Sequence, residues 1–182
     1  PRLLEHRPSA IELISRNIVR LAMAVPAYAA QARILAGDSE ALLVVEFSGD
    51  QPEVLKEQAR ALSPDLLAES AQDQSRIWNI RKMGLGILAS HTGDAKTVAF
   101  IEDCAIPVER LGGFVRGVQH ILDEFHTQAE FYAHASGGCL HIRPILNLKT
   151  QVRELRAISE AVLVLTISLG GSMSSEHGDG LS

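Results

Sequence analysis

Cysteine, aromatic side chains and long apolar runs are all scarce in this sequence. Its two cysteines, Cys104 and Cys139, are too few for a disulfide framework or for a cysteine-rich zinc or iron–sulfur site, so we expect reduced thiols in a core. No uninterrupted apolar run approaches the ~18 residues of a membrane-spanning helix, and no secretory leader is visible. These absences favour a soluble, cytoplasmic protein.

The sequence also lacks an excess of positive charge. Lysine and arginine number 17 against 22 acidic residues, for a net charge of −5. Binding to a phosphate backbone needs clustered basic side chains, and none are clustered here. We therefore expect no nucleic-acid partner.

The chain does contain enough apolar residues to form one hydrophobic core. The chain has 182 residues, of which 46% are hydrophobic, so we expect one domain, or one domain with an extension. It starts with Pro1 rather than methionine and stops at Ser182, just after a glycine-rich stretch. We expect a fragment of a longer protein.

The first half mixes helical and strand patterns. A helix is predicted to begin near Ser9, because Ile11, Ile14 and Ile18 recur at helical spacing, and to end at Pro26. Further along, the pattern predicts a buried strand at 41–47, a helix from Pro52 and another helix over 72–83.

The second half has a more regular order of elements. The pattern predicts, in turn, a strand at 97–104, a helix at 107–125, hairpin strands at 129–135 and 139–145, a helix at 152–169 and a strand at 171–175. This βαββαβ order predicts an α+β fold with a ferredoxin-like antiparallel sheet and helices mainly on one face.

Two histidines, His134 and His141, flank a glycine pair within the predicted hairpin. If Gly137 and Gly138 form a two-residue turn with positive φ at both positions, residue 134 pairs directly with residue 141. Directly opposed residues hold their Cβ atoms about 4.5–5.5 Å apart on one face. The two imidazoles could then bind one metal ion.

A second polar cluster follows in the segment SSEHGDG at 174–180. It offers a carboxylate, Glu176, beside a third imidazole, His177, and the predicted last strand brings Glu176 towards the histidine pair. A metal site and an acid–base site both fit these groups, and packing or solvated roles for the histidines also remain open.

The same segments carry a resemblance to a known family. The strings HASGGCLH at 134–141 and SSEHGDG at 174–180, with IWNIR at 77–81 and FIED at 100–103, resemble the C-terminal domain of FAD-linked oxidases. That family includes D-lactate dehydrogenase, the glycolate oxidase flavin subunit and D-2-hydroxyglutarate dehydrogenase. The string CLHIRP at 139–144 most resembles the long bacterial members, which are joined to an iron–sulfur region.

The resemblance implies a role for each of several residues. In metal-dependent members, a divalent ion, commonly zinc, is bound by the counterparts of His134, His141 and Glu176. The counterpart of His177 is the general base that takes the substrate hydroxyl proton while hydride moves to the flavin. The counterparts of Arg81 and Lys96 bind the substrate carboxylate.

The sequence departs from the family pattern near these positions. Ala133 and the string SGGC at 136–139 stand where members often have glycine and Gly-Asp-Gly-Asn. Arg143 replaces an asparagine that touches substrate in the D-2-hydroxyglutarate type, and Leu85 replaces a threonine. Arg143 could bind a substrate carboxylate, which we favour, or pair with a nearby acid, Glu102 or Asp103.

The resemblance also implies cofactors and partners. Most FAD contacts in the family come from a separate domain, and the string GLG at 84–86 lacks a phosphate-binding fingerprint. We therefore expect residues 1–182 to be a substrate or cap domain, inactive alone, with residues 1–36 as a helical lead-in from the FAD-binding domain. Expected partners are a small D-2-hydroxy acid, that FAD-binding domain and an electron acceptor. Three further features stay open: an iron–sulfur cluster elsewhere in the full-length protein, peripheral membrane association and assembly into a homodimer.

One alternative of another class remains. The chain could be a non-catalytic ferredoxin-like binding or assembly module in which the histidine pair is structural.

Overall fold

The computed structural model describes residues 2–89 and 93–176. The chain divides into two compact units, Pro1–Leu88 and Ala89–Ser182. Both units combine helices with antiparallel strands, so the predicted α+β class is confirmed.

The described residues of the first unit form two strands and four α-helices. In chain order they are β1 (Ala10–Ser15), α1 (Arg16–Ala24), α2 (Pro26–Ala32), β2 (Ala41–Glu46), α3 (Pro52–Ala61) and α4 (Ala71–Ala89). The predicted strand at 41–47 and the helix from Pro52 are confirmed, and the helix predicted over 72–83 is longer than expected.

The helix predicted from Ser9 is wrong in its first turns. Residues 10–15 form β1, which pairs antiparallel with β2 and sets Ile11 opposite Val45. The helix begins only at Arg16, after Ser15 accepts a hydrogen bond from the backbone N–H of Ile18 at 3.4 Å. Ile11 and Ile14 lie on opposite faces of β1 and are both buried, so this spacing also fits a strand that is covered on both faces. The partner strand lies 26 to 36 residues later in the chain.

In the second unit, four strands and two α-helices lie within residues 93–176. They are β3 (Ala95–Thr97), β4 (Ile101–Ala105), α5 (Leu111–Glu124), β5 (Ala129–His134), β6 (Cys139–Asn147) and α6 (Val152–Ser168). The predicted strand at 97–104 is therefore two separate strands, and the helix predicted from Pro107 begins as a 3-10 turn, Val108–Arg110.

Strand β6 organises the sheet of this unit. It pairs antiparallel with β5 on one side and with β4 and β3 on the other, and Ser172 forms a single antiparallel bridge to Ala105 of β4. This is the strand order of a ferredoxin-like sheet. Its last strand, predicted at 171–175, is reduced to that one bridge.

Beyond the bridge at Ser172, backbone N–H groups of this segment donate to side chains: that of Ser174 donates to Oγ of Ser172 at 3.3 Å. The N–H groups of Ser175 and Glu176 donate to Oδ2 of Asp103, at 2.7 and 2.8 Å. A backbone N–H held in this way cannot extend a ladder with a neighbouring strand.

The two faces of β6 differ in chemistry. Its even-numbered residues Leu140, Ile142 and Leu146 are fully buried apolar side chains. They belong to a core to which α5 and α6 contribute residues one turn apart: Phe114, Val118, Leu122, Ile158 and Val162. Successive strand residues point to opposite faces, so the odd-numbered residues from Cys139 to Arg143 form a polar face.

Helix α6 ends just before Gly170, whose φ of +73° is the left-handed conformation in which a glycine often terminates a helix. Among the described residues, no helix is both long enough and apolar enough to cross a membrane.

Candidate functional site

The hairpin that carries the histidines turns over four residues rather than two. His134 lies opposite Cys139, and Gly137 N–H donates to the carbonyl of His134 at 3.0 Å. Only Gly138 of the glycine pair has a positive φ, +73°. A Cβ on Gly138 would lie 2.0 Å from the carbonyl oxygen of Ile106, so this turn packs against the end of β4. The predicted two-residue turn is wrong.

The register consequently differs from the expected one by two residues. Tyr132, not His134, lies opposite His141, and the two rings stack with centroids 4.5 Å apart. Because 132 and 134 share a face, the histidine rings still meet diagonally, edge to face, with centroids 5.4 Å apart. The two imidazoles come together, but not by direct opposition.

Glu176 joins the two histidines. Its Oε2 lies 3.6 Å from Nε2 of His134, and both side chains are close to half exposed. One ligand atom from each of His134, His141 and Glu176 lies within 4.8 Å of the other two. The three groups therefore converge, as the sequence predicted, on the polar face of the sheet.

A β-bulge in β4 supports this cluster. The register between β4 and β6 shifts between Ile101 and Cys104, so that Glu102 and Asp103 lie together against β6 near His141. Bulges re-aim side chains, and they are common beside functional sites. Here the bulge brings two consecutive acidic residues to the candidate site.

The bulge also fixes which nitrogen of His141 faces the site. Nδ1 of His141 contacts the backbone carbonyl oxygen of Glu102. A carbonyl only accepts, so Nδ1 carries the proton and Nε2 keeps its lone pair. Burial is the main cause that lowers the pKa of His141 below its ordinary value. The ring is thus neutral near pH 7, in the tautomer that can bind a metal through Nε2.

These observations fit a divalent metal ion. Two imidazoles and one carboxylate form the donor set of open catalytic zinc sites. One imidazole is already oriented by a carbonyl, as metal-binding histidines usually are.

Arg143, Glu102 and Tyr132 form a second network next to His141. Nη2 of Arg143 donates to Oε1 of Glu102 at 2.6 Å and to the Tyr132 hydroxyl at 3.2 Å. That hydroxyl donates to the same Glu102 oxygen at 2.7 Å. Burial, followed by the hydrogen bond to Glu102, raises the pKa of Tyr132 to about 12. Of the two roles left open for Arg143, the ion pair with Glu102 is present, and a substrate contact stays a prediction.

Comparison of the sequence with models of known protein families identifies the family of this chain. The model for the C-terminal domain of FAD linked oxidases matches residues 1–182. The chain belongs to this family. The resemblance carried by the two histidine-containing strings is thereby confirmed.

Curated relatives agree with this assignment. D-2-hydroxyglutarate dehydrogenase from Pseudomonas putida is 30% identical over 197 residues, covering 98% of this chain and 20% of the relative. The same enzyme from Haemophilus influenzae is also 30% identical, over 100% of this chain and 20% of its own length. D-lactate dehydrogenase from Archaeoglobus fulgidus is 26% identical over 95% of this chain and 37% of its own length. The chain thus spans about a fifth of the D-2-hydroxyglutarate dehydrogenases it matches.

The other predicted site residues of this FAD-linked oxidase domain are Arg81, Lys96 and His177. Arg81 belongs to the first unit, where its Nε donates to Oε2 of buried Glu12 at 2.8 Å. Lys96 is exposed in the short strand β3, opposite Leu146. His177, the predicted base, lies outside the described residues. The substrate and base roles of these residues stay predictions.

Sequence reasoning missed Asp103 as a member of the site. It is only 3% exposed, and its carboxylate accepts hydrogen bonds from the segment that carries Glu176. The sequence did contain a signal for a buried acidic residue, since Asp103 lies between the apolar residues Ile101 and Cys104 in a predicted strand. A buried carboxylate requires polar partners, and that requirement could have pointed to the serines before Glu176.

Both cysteines are free and buried, as expected. Burial raises the pKa of Cys104 and of Cys139 to about 11. Sγ of Cys139 lies 3.8 Å from Nε2 of His141 and 3.5 Å from Oδ1 of Asp103. Near neutral pH it is a protonated thiol beside the histidines.

Proposed function

We propose that this chain is the substrate or cap domain of an FAD-dependent oxidoreductase that oxidises a D-2-hydroxy acid by hydride transfer to the flavin. The observation that carries the proposal is the convergence of His134, His141 and Glu176 on one polar sheet face, in a chain of the FAD-linked oxidase family. The names of its relatives indicate the substrate class: 2-hydroxyglutarate, lactate and glycolate.

In this proposal a divalent ion, with zinc as the preferred candidate, is held by His134, His141 and Glu176. When bound, it would polarise the substrate hydroxyl and favour its deprotonation. The protein's part is to present Nε2 of His141 unprotonated, through the carbonyl of Glu102, and to keep Glu176 beside His134.

His177 is proposed as the general base that removes the hydroxyl proton. It follows Glu176 directly in sequence, and an imidazole titrates in the range that suits proton transfer near neutral pH. FAD, held mainly by a separate domain, would accept the hydride from C2 of the substrate.

Three cationic side chains are proposed to bind the substrate carboxylate: Arg81, Lys96 and Arg143. A guanidinium offers paired donors to a carboxylate, and a lysine adds a point charge. Arg143 is the best supported of the three, because it lies beside His141 in β6 and its buried Nε has no hydrogen-bond partner within the described structure.

The wider context of the proposal follows from the family resemblance. Residues 1–36 would lead in from the FAD-binding domain, and the isolated chain would be inactive. Electrons would leave the flavin for a separate acceptor, and we propose a cytoplasmic location. An iron–sulfur cluster elsewhere in the full-length protein stays open.

The deciding experiment uses the full-length protein with its flavin. Under anaerobic conditions, a panel of D-lactate, glycolate and D-2-hydroxyglutarate is added, and loss of the oxidised flavin absorbance is followed with and without a chelator. We expect at least one acid to reduce the flavin, its L-enantiomer or a 2-deoxy analogue to fail, and the chelator to slow reduction.

Two outcomes separate the parts of the proposal. If no acid of the panel reduces the flavin, the dehydrogenase function is wrong, and a non-catalytic module becomes the better explanation. If an acid reduces the flavin equally fast with the chelator, the function stands and the metal is dispensable.

A further inference from the structure

The carboxylate of Asp103 holds three consecutive residues that end at Glu176. Its Oδ2 accepts from the backbone N–H of Ser175 at 2.7 Å, from that of Glu176 at 2.8 Å and from the Ser174 hydroxyl at 3.3 Å. Its Oδ1 accepts from the Ser175 hydroxyl at 2.9 Å. These contacts hold the two consecutive backbone N–H groups of Ser175 and Glu176 in place.

The same carboxylate reaches the strand that carries His141. Oδ1 of Asp103 lies 3.5 Å from Sγ of Cys139, two residues before His141 on β6, and that sulfur lies 3.3 Å from the Ser175 hydroxyl. Asp103 thus connects the segment of Glu176 to the strand of His141. It does so from a buried position, where an ionised carboxylate is tolerated only with several hydrogen-bond donors.

The two residues of the β4 bulge therefore have complementary contacts. Glu102 orients His141 through its backbone carbonyl, and Asp103 holds Glu176 through its side-chain oxygens. The bulge in β4 therefore contacts two of the three converging groups, the ring of His141 and the backbone of Glu176.

We propose that Asp103 is a positioning residue that sets Glu176 against His134 and His141 before a metal ion binds. This inference rests on the metal site of the proposed function. Without the Asp103 oxygens, residues 174–176 would have to be ordered when the ion binds, and the loss of backbone freedom would weaken the affinity.

The test is the zinc affinity of the full-length flavoprotein, measured by competition with a chromophoric chelator. We expect Asp103→Ala to weaken zinc binding by about ten- to a hundredfold, the range found for groups that support metal ligands. Asp103→Asn keeps one acceptor oxygen but loses the charge, so it should recover part of the affinity and lie about three- to tenfold below wild type. The matched control is Asp123→Ala, an exposed carboxylate in α5, which should bind zinc as wild type does.

A second measurement separates positioning from general loss of structure. Flavin content and far-ultraviolet circular dichroism report whether each variant is folded. Cobalt(II) in place of zinc reports the coordination, and we expect the Asp103→Asn spectrum to differ in intensity or position from that of wild type while the fold is intact.

Each outcome has a definite meaning. Wild-type zinc affinity in folded Asp103→Ala overturns the inference and leaves the metal site of the proposed function standing. If Asp103→Ala does not fold, Asp103→Asn decides, and equal affinity and cobalt spectrum overturn the inference. Absence of zinc binding by the wild-type protein overturns both the metal site and this role for Asp103.

Discussion

Nδ1 of His141 faces the backbone carbonyl of Glu102, a residue 39 positions earlier in the chain and part of a β-bulge. This contact does more than hold a ring in place. It selects the tautomer, because only a protonated Nδ1 can donate to a carbonyl, and so it directs the lone pair of Nε2 towards the converging groups. The consequences of this arrangement can be measured.

Loss of His134 should remove catalysis but not flavin. If the proposed function is right, we expect His134→Ala in the full-length protein to lower kcat/KM for the proposed 2-hydroxy acid substrate by at least about a hundredfold, more than is typical for a residue that only supports a ligand. FAD content, measured by absorbance, should stay at the wild-type level. The matched control is His120→Ala, an exposed α5 histidine 3.4 Å from Glu124, which should keep full activity. Unchanged turnover with reduced stability in His134→Ala would instead favour the non-catalytic module.

The two glycines of the hairpin turn should respond differently to alanine. Gly138→Ala places a Cβ 2.0 Å from the Ile106 carbonyl oxygen at a φ of +73°, so we expect the free energy of unfolding to fall by about 2 kcal/mol or more. Gly137→Ala meets nothing closer than the His134 carbonyl oxygen at 3.6 Å, and should change stability by less than about 1 kcal/mol. Urea unfolding of both variants checks this, and equal effects would contradict the four-residue turn.

Arg143 can be tested for its two roles separately. Arg143→Met leaves the Glu102 carboxylate, 19% exposed, without its cation, and should cost about 2 kcal/mol or more in stability. The double variant Glu102→Gln, Arg143→Met removes both charges and should regain most of that loss. We expect KM for the substrate to stay raised about tenfold or more in the double variant, because the proposed contact between Arg143 and the substrate carboxylate is lost. If KM returns to the wild-type value with stability, Arg143 acts only through Glu102.

Alkaline pH should destabilise the fold through its buried thiols. Burial raises the pKa of Cys104 from 9.0 to about 11, so the folded state keeps a proton that the unfolded chain loses first. The stabilisation is complete below pH 9 and disappears as pH rises to about 11, with a size of roughly 2 kcal/mol for this thiol. Unfolding measured between pH 8 and about 11 should show a smaller pH dependence in Cys104→Ala than in wild type. An identical slope in the two proteins would show that Cys104 is not protonated preferentially in the fold.

The elements that could be predicted from sequence are those set by local periodicity and by glycine or proline. The hairpin strands predicted at 129–135 and 139–145 correspond to β5 and β6, whose sequence patterns do not depend on their partners. The helix over Val152–Ser168 and its stop at Gly170 are equally local features. For the same reason, the two histidines were expected on one face of a hairpin, and a register error of two residues left that expectation intact, since side chains alternate with a period of two.

The details of the site depend on contacts between distant parts of the chain. Asp103 and Ser174 are 71 residues apart, and nothing in the local sequence indicates that one carboxylate accepts hydrogen bonds from all three residues 174–176. The bulge at Glu102, the stacking of Tyr132 on His141 and the close approach of Gly138 to Ile106 arise in the same way. In each case several partners compete for one backbone or side-chain group, and packing selects among them. The residue types and motifs alone were sufficient to identify the family and the converging groups, whereas the register, the tautomer of His141 and the position of Glu176 required the folded arrangement.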